Sequence, residues 1–142
     1  MTRRQILIDT GPLVAIVSRH DTHHQRCVDE LATLSIPLLT CWPVVTEALW
    51  LVRHNQAAIV GLFRGFAENL WALAPIGPEA LPWLEAYLKR YHKIGAQLAD
   101  VCLVYLAERQ GIDTVFTLDQ RDFSVYRYGR NRRFKIIPPP AH

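Results

Sequence analysis

Ile6-Leu7-Ile8-Asp9-Thr10-Gly11-Pro12-Leu13-Val14-Ala15 is the stretch that decides the fold. Its opening apolar run reads as a short buried strand. Asp9-Thr10-Gly11-Pro12 stops that strand. Pro12 suits the start of a helix, where its missing N–H would have found no partner. Residues 13–18 continue the helix. A strand passing directly into a helix is the first half of a βαβ unit, and the same alternation runs down the chain. Strands are expected at residues 37–40, 71–76, 114–117 and 134–137. Helices are expected at 26–34, 43–54, 57–70, 79–91 and 97–110, the last ended by Gly111. This pattern predicts an α/β fold with a mostly parallel central sheet and helices on both faces, three layers in all. Linkers, internal repeats and low-complexity tracts are missing, so residues 1–142 are expected to form one domain.

The composition narrows the class. Half of the 142 residues are hydrophobic and a fifth are charged, which excludes intrinsic disorder. A chain of this size buries about two-thirds of its unfolded surface and needs no staples. Cys27, Cys41 and Cys102 are an odd set without CxxC spacing, so neither a disulfide framework nor a zinc cluster is indicated. No apolar run reaches the roughly 20 residues that span a bilayer. The apolar run broken by Asp9 is too short for a signal peptide. A soluble cytoplasmic protein with no membrane partner is therefore expected. The net charge of +3 is unevenly spread. Residues 121–135 carry Arg121, Arg127, Arg130, Arg132, Arg133 and Lys135 against Asp122, a net of +5, which leaves −2 for the remainder. Such a segment is either a solvated edge or a surface for phosphate backbones or an acidic partner.

In open parallel sheets, ligands bind at the carboxyl ends of the strands. Asp9 stands at that end of the first strand. Asp119 and Asp122 stand beyond the strand at 114–117. Two further acids interrupt apolar helix faces. Positions 44, 47, 48 and 51 share one face, with Glu47 its single acid; positions 100, 103, 104 and 107 share another, with Asp100 its single acid. Each has an ordinary alternative. Asp9 and Asp100 are placed to cap helices or favour their dipoles, and Asp119 and Asp122 to shape a turn. Glu47 needs a cationic partner, for which Arg53 is poorly spaced. Taken together, converging carboxylates would repel one another and hold protons at neutral pH. A hard divalent cation resolves the conflict, and an all-oxygen ligand set suits Mg²⁺ or Mn²⁺. That chemistry points to metal-assisted hydrolysis of a phosphodiester.

The segments Ile8-Asp9-Thr10-Gly11-Pro12-Leu13-Val14-Ala15, Thr46-Glu47, Ala99-Asp100 and Thr117-Leu118-Asp119-Gln120-Arg121-Asp122-Phe123 resemble a PIN domain. They are most similar to the VapC-type toxin ribonucleases of toxin–antitoxin pairs. The resemblance spans nearly the whole chain, with the acids in the family's order. It implies a PIN-like α/β/α fold and an RNA-cleaving enzyme using Mg²⁺ or Mn²⁺. It implies that Asp9, Glu47, Asp100 and Asp119 form the acidic quartet, that Asp122 is a fifth acid, and that Thr10 and Thr117 are supporting hydroxyls. It also implies a homodimer and a cognate VapB-type antitoxin. The chain departs from many relatives in having two residues between Asp119 and Asp122 rather than one. The RNA is expected to be steered by Arg121, Arg127, Arg130, Arg132 and Arg133.

Other chemistries find little support. His20, His23 and His24 lack HExxH spacing and read as a solvated helix start, while His54 and His92 are isolated. Ser18 and Ser124 have no triad partners, and phosphate-cradling glycine loops are absent. A phosphorylatable receiver would need a lysine ending the last sheet strand, whereas Lys135 falls inside it. The remaining alternative is a non-catalytic nucleic-acid or partner-binding module of the same fold. Trp42, Trp50, Trp71 and Trp83 read as core. The helix covering 42–52 is apolar nearly all round, so part of it is expected to meet a partner.

Overall fold

A computed structural model describes residues 4–140; residues 1–3 and 141–142, the ends of the expected domain, lie outside the described residues. In chain order the first half holds β1 (Leu7–Ile8), α1 (Thr10–Val17), α2 (His24–Ala32), β2 (Leu38–Thr40), α3 (Trp42–Leu51), α4 (Gln56–Ala67) and β3 (Trp71–Leu73). The second half holds α5 (Leu81–Arg90), α6 (Leu98–Gln110), β4 (Thr114–Phe116), α7 (Gln120–Val125), β5 (Arg127–Tyr128), β6 (Arg132–Arg133) and β7 (Lys135–Ile137).

Five strands form one parallel sheet in the order β3-β2-β1-β4-β7, flanked by helices. The chain winds outward from β1 through β2 to β3, then returns to β4 on the other side. The direction of winding thus reverses between β1 and β4, which is where such sheets open a crevice at their carboxyl edge. Leu7, Ile8, Val115 and Phe116 are fully buried, as expected of central strands covered on both faces. The register pairs Leu7 with Val115 and Ile8 with Phe116. The next residue on each strand is Asp9 and Thr117, so pairing alone sets those two side by side.

Packing explains several local choices. Helix α6 is buried from Val101 to Ala107 because it lies against both α3 and α5. Gly111 ends it at φ +66, in the left-handed region that glycine enters without strain. Gly65 in α4 sits against the Trp71 indole, where any Cβ would collide, and the indole N–H donates to the Leu62 carbonyl at 3.0 Å.

Most expected elements are present but shorter at their ends. Helix α1 starts at Thr10, earlier than Pro12 suggests, with Asp9 as its N-cap residue. Two pieces inside the basic segment were not foreseen: α7 and the β5–β6 hairpin. The tryptophan expectation holds for Trp71, at 1% exposure, and fails for Trp42 and Trp50, at 62% and 63%. Both lie on α3, whose outer side faces solvent. His24, expected in solvent, bonds the Ala15 carbonyl at 2.7 Å and ties α2 to α1.

Candidate active site

The carboxyl edge of the sheet carries a cavity of about 530 Å³. Asp9, Glu47, Asp100, Asp119 and Asp122 all line it, together with Thr10 and Gln97. These acids come from the end of β1, from α3, from the first turn of α6 and from the start of α7. The sheet and its crossovers thus gather side chains from distant parts of the sequence. Asp100, Asp119 and Asp122 each offer an oxygen within 4.8 Å of the others. This tightest trio includes Asp122, so the extra residue between the last two acids does not pull Asp122 away. Helix α7 absorbs the spacing: Asp119 is its N-cap and accepts the Asp122 N–H at 3.2 Å.

The ordinary alternatives can be decided one by one. Asp9 occupies an N-cap position, yet its side chain makes no capping bond. It accepts the Thr117 hydroxyl at 2.8 Å instead. The same Thr117 oxygen accepts the Asp119 N–H at 2.9 Å, so one hydroxyl positions two acids. Asp119 does cap a helix, through Oδ1. Asp100 accepts the Tyr126 hydroxyl at 3.0 Å. Glu47 is absent from the two ion pairs among the described residues, Arg4–Asp113 and Lys89–Glu85. Arg53, its nearest basic neighbour in sequence, lies over the Trp50 ring at 3.8 Å.

The electrostatics follow from burial and crowding. Asp9 is only 6% exposed. Burial pushes its carboxyl up to about 6, against the Thr10 N–H and the Thr117 hydroxyl, with Glu47 and Asp119 adding repulsion. Burial likewise pushes Asp100 up to about 7, reinforced by the Asp9 charge and opposed by the Tyr126 hydroxyl. Asp122 is raised as well, by desolvation and by Asp119. The site is therefore an oxygen-only cage that repels its own charge. Thr10 Oγ is buried in it without a hydrogen-bond partner. Carboxylates held against their own repulsion, with an orphaned hydroxyl beside them, fit a hard divalent cation and its water shell.

The sequence reading missed Tyr126, which is fully buried behind Asp100. A tyrosine inside a basic run gives no signal of such a role. Helix α7 did have one, since Asp119 followed three residues later by Asp122 is an N-cap with an acid in the first turn. Among the arginines, Arg121, Arg130, Arg132 and Arg133 are exposed. Arg127 is engaged locally: its Nη1 donates to the carbonyls of Ser124, Val125 and Tyr126 at 2.9, 2.9 and 3.2 Å, closing the end of α7.

A doubly wound α/β/α domain with an acidic crevice at its switch point defines a class of proteins that work on phosphate groups with a bound metal. Comparison with known proteins makes this specific: the PIN domain family model matches residues 6–128, and the chain belongs to that family. It is 32% identical over 136 residues to Ribonuclease VapC26 of Mycobacterium tuberculosis, covering 94% of this chain and all of the relative. Among solved structures it resembles VapC20 of Mycobacterium tuberculosis, described as a Sarcin-Ricin loop cleaving toxin. That likeness has a TM-score of 0.73 at 15% identity, over 82% of this chain and 91% of the other, and shows the shared fold. PIN domains are nucleases that in general depend on a metal. No helix among the described residues is long and apolar enough to cross a membrane.

Proposed function

We propose that this protein is a Mg²⁺- or Mn²⁺-dependent endoribonuclease acting as the toxin of a toxin–antitoxin pair. The observation that carries the reading is the convergence of five acids on one cavity, with the Asp9 and Asp100 carboxyls raised to about 6 and about 7. Asp9, Asp100 and Asp119 would hold the cation, with Asp122 and Glu47 completing the cage. These carboxylates would hold a cation whose chemistry there would be to neutralise phosphate charge and to make a water nucleophilic near neutral pH.

The protein's own groups do the positioning. The Thr117 hydroxyl holds Asp9 Oδ2 and the Asp119 backbone, while the Tyr126 hydroxyl holds Asp100 Oδ2. With Oδ1 of Asp119 bound to the Asp122 N–H, Oδ2 is left for the site. Glu47 lines the cavity without an ion-pair partner and would orient an attacking water and accept its proton. Thr10 lines the same cavity beside these groups. The exposed Arg121, Arg130, Arg132 and Arg133 would steer the polyanion.

The partners are a VapB-type antitoxin and a second copy of the chain. The exposed Trp42, Trp50 and Leu51 on α3 support an apolar partner surface. Light scattering at high concentration is expected to report a dimer, and a lone monomer would refute that part. The activity is tested by incubating the purified protein with a pool of small RNAs. Cleavage with Mn²⁺ that stops in EDTA and in Asp9→Ala is expected. Binding without cleavage on every RNA would favour the non-catalytic module instead.

A further inference from the structure

Outside the catalytic cavity, a second cleft of about 310 Å³ opens between α5, the second half of α6 and the β5–β6 hairpin. We propose that this cleft binds one nucleotide of the RNA strand, as a subsite separate from the acids. The proposal rests on the ribonuclease reading for its ligand and on the cleft itself for its chemistry.

A nucleotide asks for an aromatic wall, hydrogen-bonding groups for the base edge and positive charge for the phosphate. The cleft has all three. It is lined by Trp83, Tyr87 and Tyr128, by Arg90 and Arg127, and by Asn131 at the hairpin turn. Its volume sits at the small end of ligand pockets, roughly 300–1,000 Å³, which suits one nucleotide.

The walls are held rigidly. Trp83 stacks on Tyr87 at 4.9 Å, and Tyr87 on Tyr91 at 4.6 Å, giving an aromatic ladder along α5. Glu108 is the one acid lining the cleft, and both its oxygens are engaged. It accepts the Trp83 indole N–H at 2.7 Å and the Gly129 N–H at 2.8 Å, clamping the indole to the hairpin. Both oxygens are thereby occupied in building the wall. Arg90 lies over the Tyr91 ring at 5.1 Å, and among the described residues it has no carboxylate within ion-pair distance. The hairpin register sets Arg127 opposite Arg133, a like-charge pairing that costs stability by itself. A polyanion offsets such a cost.

The cleft also lies beside the catalytic cavity. Tyr87 lines the cleft and stands 6.0 Å from Tyr126, whose hydroxyl holds Asp100. Tyr126 is fully buried, so the two cavities meet through packed aromatic rings.

The test uses the full chain in EDTA with a single-stranded oligoribonucleotide carrying 5-iodouridine. Photo-crosslinks to the peptide holding Trp83 or Tyr128 are expected. Arg90→Glu should weaken binding about tenfold. It should also flatten the log–log salt slope by about 0.7, the value of one single-strand phosphate contact. With Mn²⁺ the same variant should raise KM on long RNA and leave kcat unchanged. Crosslinks confined to the catalytic cavity, or a variant that binds like wild type, would overturn the subsite. Wild-type cleavage in Mn²⁺ reads the ribonuclease assignment separately. Cleavage without a cleft crosslink refutes the subsite alone, a cleft crosslink without cleavage refutes the ribonuclease alone, and neither crosslink nor cleavage refutes both.

Discussion

Replacing Asp9 with Asn should make the metal-free protein less sensitive to rising pH. Asp9 is 6% exposed and its carboxyl is raised from 3.8 to about 6, chiefly by burial. The folded state therefore holds the proton more tightly than the unfolded state. Stability from this group is full below about pH 4 and is lost as pH rises through about 6. The complete loss is about 3 kcal/mol, at about 1.4 kcal/mol per tenfold change in proton affinity. Linkage over the window from pH 5 to pH 8 gives about 1.4 kcal/mol of that. Asn has nearly the same shape and still accepts the Thr117 hydroxyl, but it does not titrate. An unpaired amide N–H would cost about 1–3 kcal/mol, equally at every pH. The decisive quantity is therefore the change with pH. Asp9→Asn should gain about 1.4 kcal/mol on wild type between pH 5 and pH 8, or roughly 3–6 °C in Tm at this chain length. Asp100 adds to the effect in the same direction, because the Asp9 charge is its second-largest perturbation. The assay is thermal or urea unfolding in EDTA at both pH values. A variant with the same pH slope as wild type would refute the picture of a buried, self-repelling cage.

Four further outcomes follow from the same geometry. Mn²⁺ should raise Tm more at pH 8 than at pH 5, because at pH 5 protons on Asp9 and Asp100 compete with the ion; an equal rise at both would place the ion elsewhere. Thr117→Val removes the hydroxyl that positions Asp9 and Asp119, and should lower Mn²⁺ affinity or cleavage about 10–100-fold, read by titration and initial rates. Tyr126→Phe keeps the ring but frees Asp100, whose carboxyl should titrate still higher; the pH profile of cleavage should move upward, and an unmoved profile would deny Tyr126 that role. Gly65→Ala forces a methyl into the Trp71 indole and should cost about 1–3 kcal/mol in urea unfolding, with the cleavage rate per folded molecule unchanged.

The strand–helix alternation was plain in the sequence because buried parallel strands are short apolar runs ended by turn residues, as at Ile6-Leu7-Ile8 before Asp9. The acids were legible because Glu47 and Asp100 interrupt apolar helix faces, and such an interruption needs a reason. Their convergence was not legible, since it depends on the register of β1 with β4 and on the reversal of winding between them. The hairpin stayed hidden for a different reason. Charged residues mask periodicity, and the hairpin turn rests on Gly129 and Asn131 at φ +54 and +62 within an arginine-rich run. The exposed Trp42 and Trp50 mark a further limit: hydrophobicity says that a side chain wants cover, and not whether its own fold supplies it. Arg127 shows the same of charge, because a guanidinium counted toward RNA is partly spent on three carbonyls of its own chain.

The convergence of the acids on a cation is tested most directly by soaking a crystal of the protein in Mn²⁺ and locating the ion by anomalous scattering. The expected result is a peak inside the cavity, bonded to carboxylate oxygens of Asp100 and Asp119 with Asp9 or Asp122 completing the set. A soaked crystal with no peak there, or with the ion held only by acids outside the cavity, would contradict it.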